Sequence, residues 1–498
     1  MLKSILICVS AAIIATKASE VMVDSRQNAS DRFFPGDFWF GTSTAAYQIE
    51  GAWNLEGKGP SIWDEFTHSH PEKIVDHGNG DVATNSYEFY LDDVKAVKNL
   101  GMDFYRISIA WSRILPTGDI ANINEKGIEY YNKLINAIIG HKLEPMVTMY
   151  HWDLPQDLQK FGGLTNSIFI SYFEAYANLL YDRFGDRVKY WITFNEPSVF
   201  CTTGYGSDKH APAVNAHGVG EYLCAHNVLK AHAVAYRLYR SFYYEQYKGQ
   251  VGITLCSQFF YSDSNDMHAV DRAMQFSLGW FANPIFSLAG NYPDVMITRI
   301  ANNSIGEGRS WSRLPSFTDK WIETIRGSAD FLGLNYYTSR YVEVNPEPKG
   351  LYPSYERDLN LKMVIKPEWK PSASDWLYSV PKGVGDILRW IKEEYNNPEV
   401  FITENGWSDH GELDDNDRIA YLHDHLEQIL DVVLNDESNL KGYTAWSIID
   451  NFEWAQGYAE KFGLYSVNMS SPRRERTAKK SAKFMATVAS THRIPEIN

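Results

Sequence analysis

Val400-Phe401-Ile402-Thr403-Glu404-Asn405-Gly406 begins as a buried β-strand and ends in a carboxylate, an amide and a glycine. A short apolar run of β-branched and aromatic residues is the pattern of a strand covered on both faces. A charge at its end is costly to bury unless something holds it there. A second run repeats the pattern: Tyr190-Trp191-Ile192-Thr193-Phe194-Asn195-Glu196-Pro197. The two glutamates are far apart in the chain, so a shared purpose requires the fold to bring two strand ends together.

Other strand-like runs lie at 38–40, 103–109, 144–150, 251–255, 331–334 and 442–446. Between them the apolar residues recur at helical steps. Tyr130, Leu134, Ile135 and Ile138 share one helix face, as do Val228, Ala231, Ala235 and Leu238. Ile419, Leu422, Leu426, Ile429, Leu430 and Val433 do the same. Strand then helix, repeated about eight times, predicts an α/β fold with a parallel sheet: a single (β/α)8 (TIM) barrel with elaborated βα loops, the open sheet being the alternative. Catalytic groups of such barrels sit at the C-terminal ends of the strands. Polar groups gather there: His151 and Asp153 after the third run, Asn195 and Glu196 after the fourth, Asn335 to Tyr337 after the sixth, Glu404 after the seventh. Asn451 to Trp454 follow the eighth.

The 498 residues carry a net charge of −15, which argues against nucleic acid or an anionic membrane as the main partner. Lys3, the apolar run 5–15 and the small residues before position 19 read as a signal peptide over 1–19. The remainder, 20–498, reads as one catalytic domain of a secreted protein, extracellular or in a gut lumen. Asn28, Asn302 and Asn468 each begin a glycosylation sequon. Of Cys8, Cys201, Cys224 and Cys256, three would remain after cleavage, allowing one disulfide at most, with the pairing open. His68, His70 and His77 lack a ligand spacing, so no metal is expected.

Two carboxylates facing each other across a pocket can cleave a glycosidic bond. One must be protonated to donate to the departing oxygen while the other is ionised, and their environments must push them apart.

The chain resembles glycoside hydrolase family 1, the β-glucosidase family, and is most similar to its secreted animal members, insect β-glucosidases and myrosinases among them. Five stretches in order carry the resemblance: Ala46 to Ala52 (AYQIEGA), Tyr150 to Pro155 (YHWDLP), Thr193 to Pro197 (TFNEP), Ile402 to Gly406 (ITENG) and Asp450 to Trp454 (DNFEW). The resemblance implies a retaining double displacement without a cofactor. Glu404 would be the nucleophile and Glu196 the acid and base. Arg106 and Tyr337 would support Glu404, and Asn195 would hold the sugar 2-OH. Gln48 (as donor and acceptor), His151, Glu453 and Trp454 would bind the other hydroxyls. Trp446 would stack under the ring, and Trp376 would carry the aglycone.

The substrate implied is a β-glucoside, an oligosaccharide or an aryl or alkyl glucoside. A thioglucosidase acting on glucosinolates is the alternative, and a non-catalytic carbohydrate-binding relative a further one. A basic residue placed to hold a sulfate would favour the thioglucosidase. The segment 204–212 is short against the family pattern and lacks a glycine usual before Ala211-Pro212, and Leu164 stands where many relatives have Trp. The segment 204–212 lies in the loop after Glu196, on the aglycone side, and neither departure touches a catalytic position. A small-molecule β-glycoside is the expected partner, with a homodimer left open and no membrane anchor.

Overall fold

The computed structural model of the chain describes residues 32–345 and 353–497; the expected signal peptide, Cys8 and Asn28 lie outside them. Eight parallel strands close a barrel: β1 (Trp39–Ser43), β2 (Phe104–Ser108), β3 (Glu144–Tyr150), β4 (Tyr190–Asn195), β5 (Gln250–Cys256), β6 (Leu332–Asn335), β7 (Val400–Asn405) and β8 (Leu440–Trp446). Each strand neighbours the next in chain order, and β8 pairs with β1 to complete the ring. Every strand-like run of the sequence overlaps one of these strands, and the open sheet is excluded.

The crossovers are α1 (Ser86–Asn99), α2 (Glu125–Gly140), α3 (Phe169–Phe184), α4 (Gly220–Phe242), α5 (Asp319–Ile325), α6 (Lys382–Glu394) and α7 (Asn416–Asn435), with α8 (Lys480–Thr491) following β8. They form where the sequence places one apolar stripe at helical spacing. On α2 the buried residues include Tyr130, Leu134, Ile135 and Ile138. On α7 they include Ile419, Leu422, Leu426, Ile429 and Leu430, with Val433 half-buried. The β5–β6 connection is longer, carrying Met267–Met274, Trp280–Phe286 and Asp294–Gly306 before α5.

Alternation along the strands sends one set of side chains inward. Phe104, Met146, Ile192, Phe331 and Phe401 form a floor at the N-terminal end of the barrel, with Trp39 and Tyr190 packed beneath. Each such side chain contributes roughly 1.5–3 kcal/mol by leaving water. The floor seals one end, so the polar groups above it can be reached only from the C-terminal rim.

Candidate active site

The two decisive strands do not keep their alternation to the end. On β7, Phe401 joins the inner floor and Thr403 also points inward, so strict alternation would turn Glu404 outward. The pairing register shifts between Ile402 and Glu404 against β6, and between Ile402 and Asn405 against β8. This bulge adds one residue and changes the phase. Glu404 therefore faces the barrel axis, while the Asn405 side chain bonds Tyr421 of α7. On β4 the register shifts between Ile192 and Asn195. Ile192 is in the floor, Thr193 bonds His232 of α4, Phe194 stacks on Phe173 of α3, and Asn195 turns back inside. Glu196, at φ +53°, bends the chain sharply at the rim, its amide donating to Thr254 O at 2.9 Å.

Glu404 sits in a cage of donors. Arg106 Nη1 reaches Oε1 at 2.6 Å and Tyr337 OH donates to Oε2 at 2.8 Å. Arg106 and Glu404 are both almost fully buried. A charge-assisted pair with a second donor holds the carboxylate in one orientation, with both oxygens occupied.

Glu196 has no cation in contact among the described residues. Its Oε1 accepts from Asn335 Nδ2 at 2.7 Å. That amide is oriented by a relay: Thr254 Oγ1 donates to Thr403 Oγ1, which donates to Asn335 Oδ1 at 2.7 Å. Burial, and then the charge of Glu404, push Glu196 from the usual 4.5 up to about 8, against the pull of its Asn335 bond and of Arg106.

Asn195 joins the two halves. Its Oδ1 accepts from Arg106 Nη2 at 2.6 Å and Asn335 Nδ2 at 3.2 Å, which turns its NH2 toward His151 Nε2 at 3.0 Å. Burial, with Arg106 nearby, holds His151 well below its ordinary value and therefore neutral. With Nε2 accepting, the proton lies on Nδ1, which has no partner among the described residues and can donate to a ligand.

The far wall holds Trp446, Glu453 and Trp454. His151 stacks on both indoles at 6.0 Å, and Trp446 Nε1 donates to Glu453 Oε1 at 3.4 Å. Burial, then Glu460, raises Glu453 to about 8. Raised in this way, the group can donate a hydrogen bond when protonated as well as accept, where a carboxylate would only accept. The Gln48 NH2 donates to Asn451 Oδ1 at 2.9 Å and Phe452 O at 2.8 Å and lies 3.4 Å from Glu453 Oε2, and its Oε1 has no partner among the described residues.

These groups surround one cavity of about 650 Å³. Of the sequence-derived residues, His151, Asn195, Glu196, Tyr337, Trp376, Glu404, Trp446, Glu453 and Trp454 line it; Arg106 and Gln48 stand behind the wall, bonded to Glu404 and Glu453. Trp446 and Trp454 are buried, whereas Trp376 is 39% exposed, edge-on to Tyr337 at 5.5 Å. The cavity thus has a deep polar end and an aromatic lip. The loop after Glu196 adds Thr203, Lys209 and His210 to the wall, and the Cys201–Cys224 disulfide ties it to α4. Sequence reasoning left Asn335 and Cys256 without roles, although both end apolar strands at the rim, the signal that singled out the glutamates.

A barrel whose rim holds one caged carboxylate and one raised carboxyl group, beside stacked indoles and hydroxyl-binding groups, defines a two-carboxylate carbohydrate hydrolase. The profile of glycosyl hydrolase family 1 matches residues 30–494, and the chain belongs to that family. It is 44% identical to Myrosinase 1 of Brevicoryne brassicae over 466 residues, 93% of this chain and 99% of that one. It is 41% identical to cytosolic beta-glucosidase of Homo sapiens over 461 residues, 91% of this chain and 97% of that one. The structure of a mutant rice beta-glucosidase in a covalent complex with Glc superposes with a TM-score of 0.85 at 39% identity, covering 91% of this chain and 98% of that one. Family membership makes this chain a glycoside hydrolase.

Proposed function

We propose that the protein is a retaining β-glucosidase in which Glu404 is the nucleophile and Glu196 the acid and base. The observation that carries this reading is the unequal treatment of the two carboxyl groups: Arg106 and Tyr337 grip Glu404, while Glu196 has only neutral donors in contact and is raised. Glu404 attacks the anomeric carbon as the aglycone oxygen takes the proton of Glu196. A glycosyl ester forms on Glu404. Glu196, now ionised, takes a proton from water, the hydroxide oxygen bonds the anomeric carbon, and Glu404 departs. The covalent Glc of the rice relative supports the ester step. His151, Glu453, Gln48 and Asn195 bind the sugar hydroxyls, Trp446 stacks on the ring, and Trp376 carries the aglycone.

Release of p-nitrophenol from p-nitrophenyl β-D-glucoside tests the reading. Turnover is expected, and its absence in folded protein contradicts it. The kcat/KM profile for a glucoside with a poor leaving group should fall on the alkaline side near pH 8, because Glu196 must be protonated and is raised to about 8. A limb in the ordinary carboxylate range would contradict that assignment.

One observation favours the thioglucosidase as a second reading. Lys209 is the one lysine or arginine lining the cavity among the described residues, and it makes no ion pair there. It could hold the sulfate of a glucosinolate. Asp375 and Glu460 line the same cavity and oppose an anion, so the O-glucosidase is preferred. Sinigrin assayed beside p-nitrophenyl glucoside decides: a higher kcat/KM for sinigrin selects the thioglucosidase.

Secretion belongs to the same proposal. A disulfide fits an oxidising compartment, and Asn302 and Asn468 are exposed and open to glycosylation.

A further inference from the structure

Thr403 and Glu404 are consecutive on β7, yet both point into the barrel. A regular strand sends neighbours to opposite faces, and the bulge between Ile402 and Glu404 removes that restriction. β7 therefore delivers the nucleophile and, one residue earlier, a buried hydroxyl. Thr403 Oγ1 donates to Asn335 Oδ1 at 2.7 Å and accepts from Thr254 Oγ1 at 3.2 Å. Thr254 is on β5, so the two threonines meet across β6. Gly333 of β6 lets them meet because it has no side chain. A Cβ there would stand 2.4 Å from Thr254 Oγ1 and 3.0 Å from Thr403 Cγ2.

We propose that Thr403 is a positioning residue for the acid–base carboxyl, acting through Asn335: its hydroxyl holds the carbonyl end of that amide and so keeps the NH2 end on Glu196. The inference rests on the proposed role of Glu196.

An amide has two ends of nearly equal shape and opposite hydrogen-bonding sense. With its NH2 toward the site, Asn335 donates to Glu196 Oε1 at 2.7 Å and to Asn195 Oδ1 at 3.2 Å. A neutral donor there steadies the ionised form of Glu196, which the second half of the reaction needs. It also leaves the acid's proton free for the departing oxygen. A carbonyl in that place would accept the proton's hydrogen bond and hold it back. Thr403 gives the carbonyl its partner on the other side. A bond accepted by the carbonyl also polarises the amide and strengthens its N–H donors. Thr254, Thr403 and Asn335 are all fully buried, so a lost hydroxyl leaves the Asn335 oxygen unsatisfied.

The sign of the effect follows. A donor to the carboxylate lowers its pKa, and Asn335 is one of the groups that pull Glu196 down against burial. Weakening that donor raises the group further. The charged and titratable groups around Glu196 are Glu404 and Arg106 of the barrel, His151 after β3, Lys209 and His210 in the loop after β4, Cys256 ending β5, Tyr337 after β6 and Glu453 after β8. Substitution at Thr403 removes none of them.

The test is the alkaline limb of kcat/KM for phenyl β-D-glucoside, whose departing phenolate needs a proton. In Thr403→Val, which loses the hydroxyl and keeps the shape, the limb should move up by about half a pH unit. In Thr403→Ser, which keeps the hydroxyl, it should stay with wild type. A loss of packing alone would lower activity without moving the limb. A Thr403→Val limb that coincides with wild type, or a Thr403→Ser limb that rises as far as that of Thr403→Val, would overturn the inference. If Thr403→Val fails to fold, Thr403→Ala is read against the same two results. Wild-type cleavage with Glu404→Gln inactive establishes the underlying reading separately, so failure of the limb to move counts against Thr403 alone.

Discussion

Glu404→Gln is expected to lower kcat for p-nitrophenyl β-D-glucoside by about four orders of magnitude or more while leaving the fold intact. At about 1.4 kcal/mol per tenfold, that is more than about 5 kcal/mol of transition-state stabilisation. An amide has the shape of the carboxylate but cannot form the glycosyl ester. Arg106 keeps an oxygen to bond, and Tyr337 meets an NH2 to which its own oxygen can turn. The cost to the fold is the uncompensated Arg106, bounded at about 3–5 kcal/mol for a broken buried pair. Relief of repulsion on Glu196 works against that cost. In a domain of this size the melting temperature should fall by only a few degrees. Near-wild-type turnover by a pure, folded variant would remove Glu404 from the mechanism.

Glu196→Gln is expected to separate substrates by leaving group. For phenyl β-D-glucoside, kcat/KM should drop by about 10²–10⁴-fold, because the departing oxygen loses its acid. For a dinitrophenyl glucoside, whose phenolate leaves without a proton, the ester should still form and its hydrolysis should become limiting. Azide, which attacks without base assistance, should then restore turnover and give β-glucosyl azide, the configuration a double displacement requires. Equal losses on both substrates, or an α-glucosyl azide, would contradict the assignment of Glu196. The Asn335 and Thr403 relay survives this substitution, since Gln Oε1 still accepts.

The barrel was legible because each strand is a short apolar run bounded by polar residues and each crossover helix carries one stripe. The rule that active groups lie at strand ends then located Glu196, Asn195, Glu404, His151 and Tyr337. What strand periodicity concealed is how they turn inward. Alternation from Phe401 and Thr403 points Glu404 at the helices, and only the bulges in β4 and β7 reverse it. A bulge depends on the pairing of neighbouring strands, which lie far apart in the chain. The commitment of the Gln48 amide to Asn451 and Phe452 was hidden for the same reason: the partners come from the far end of the sequence. The cysteine spacing likewise gave no pairing, because Cys201 and Cys224 meet only when the turn after Glu196 packs on α4. Asn335 and Cys256 obeyed the strand-end rule and were passed over, because an amide and a thiol promise less chemistry than a carboxylate.

The central claim, that Glu404 bonds the sugar covalently, is tested most directly by trapping. A 2-deoxy-2-fluoro-β-D-glucoside with a dinitrophenyl leaving group slows ester hydrolysis more than ester formation when the leaving group is this good. After incubation and proteolysis, peptide mass spectrometry should find one fluoroglucosyl group per chain, on the peptide containing Glu404, with fragmentation placing it on that residue. An active enzyme that carries the label on another carboxylate, or turns over normally and carries none, would contradict it.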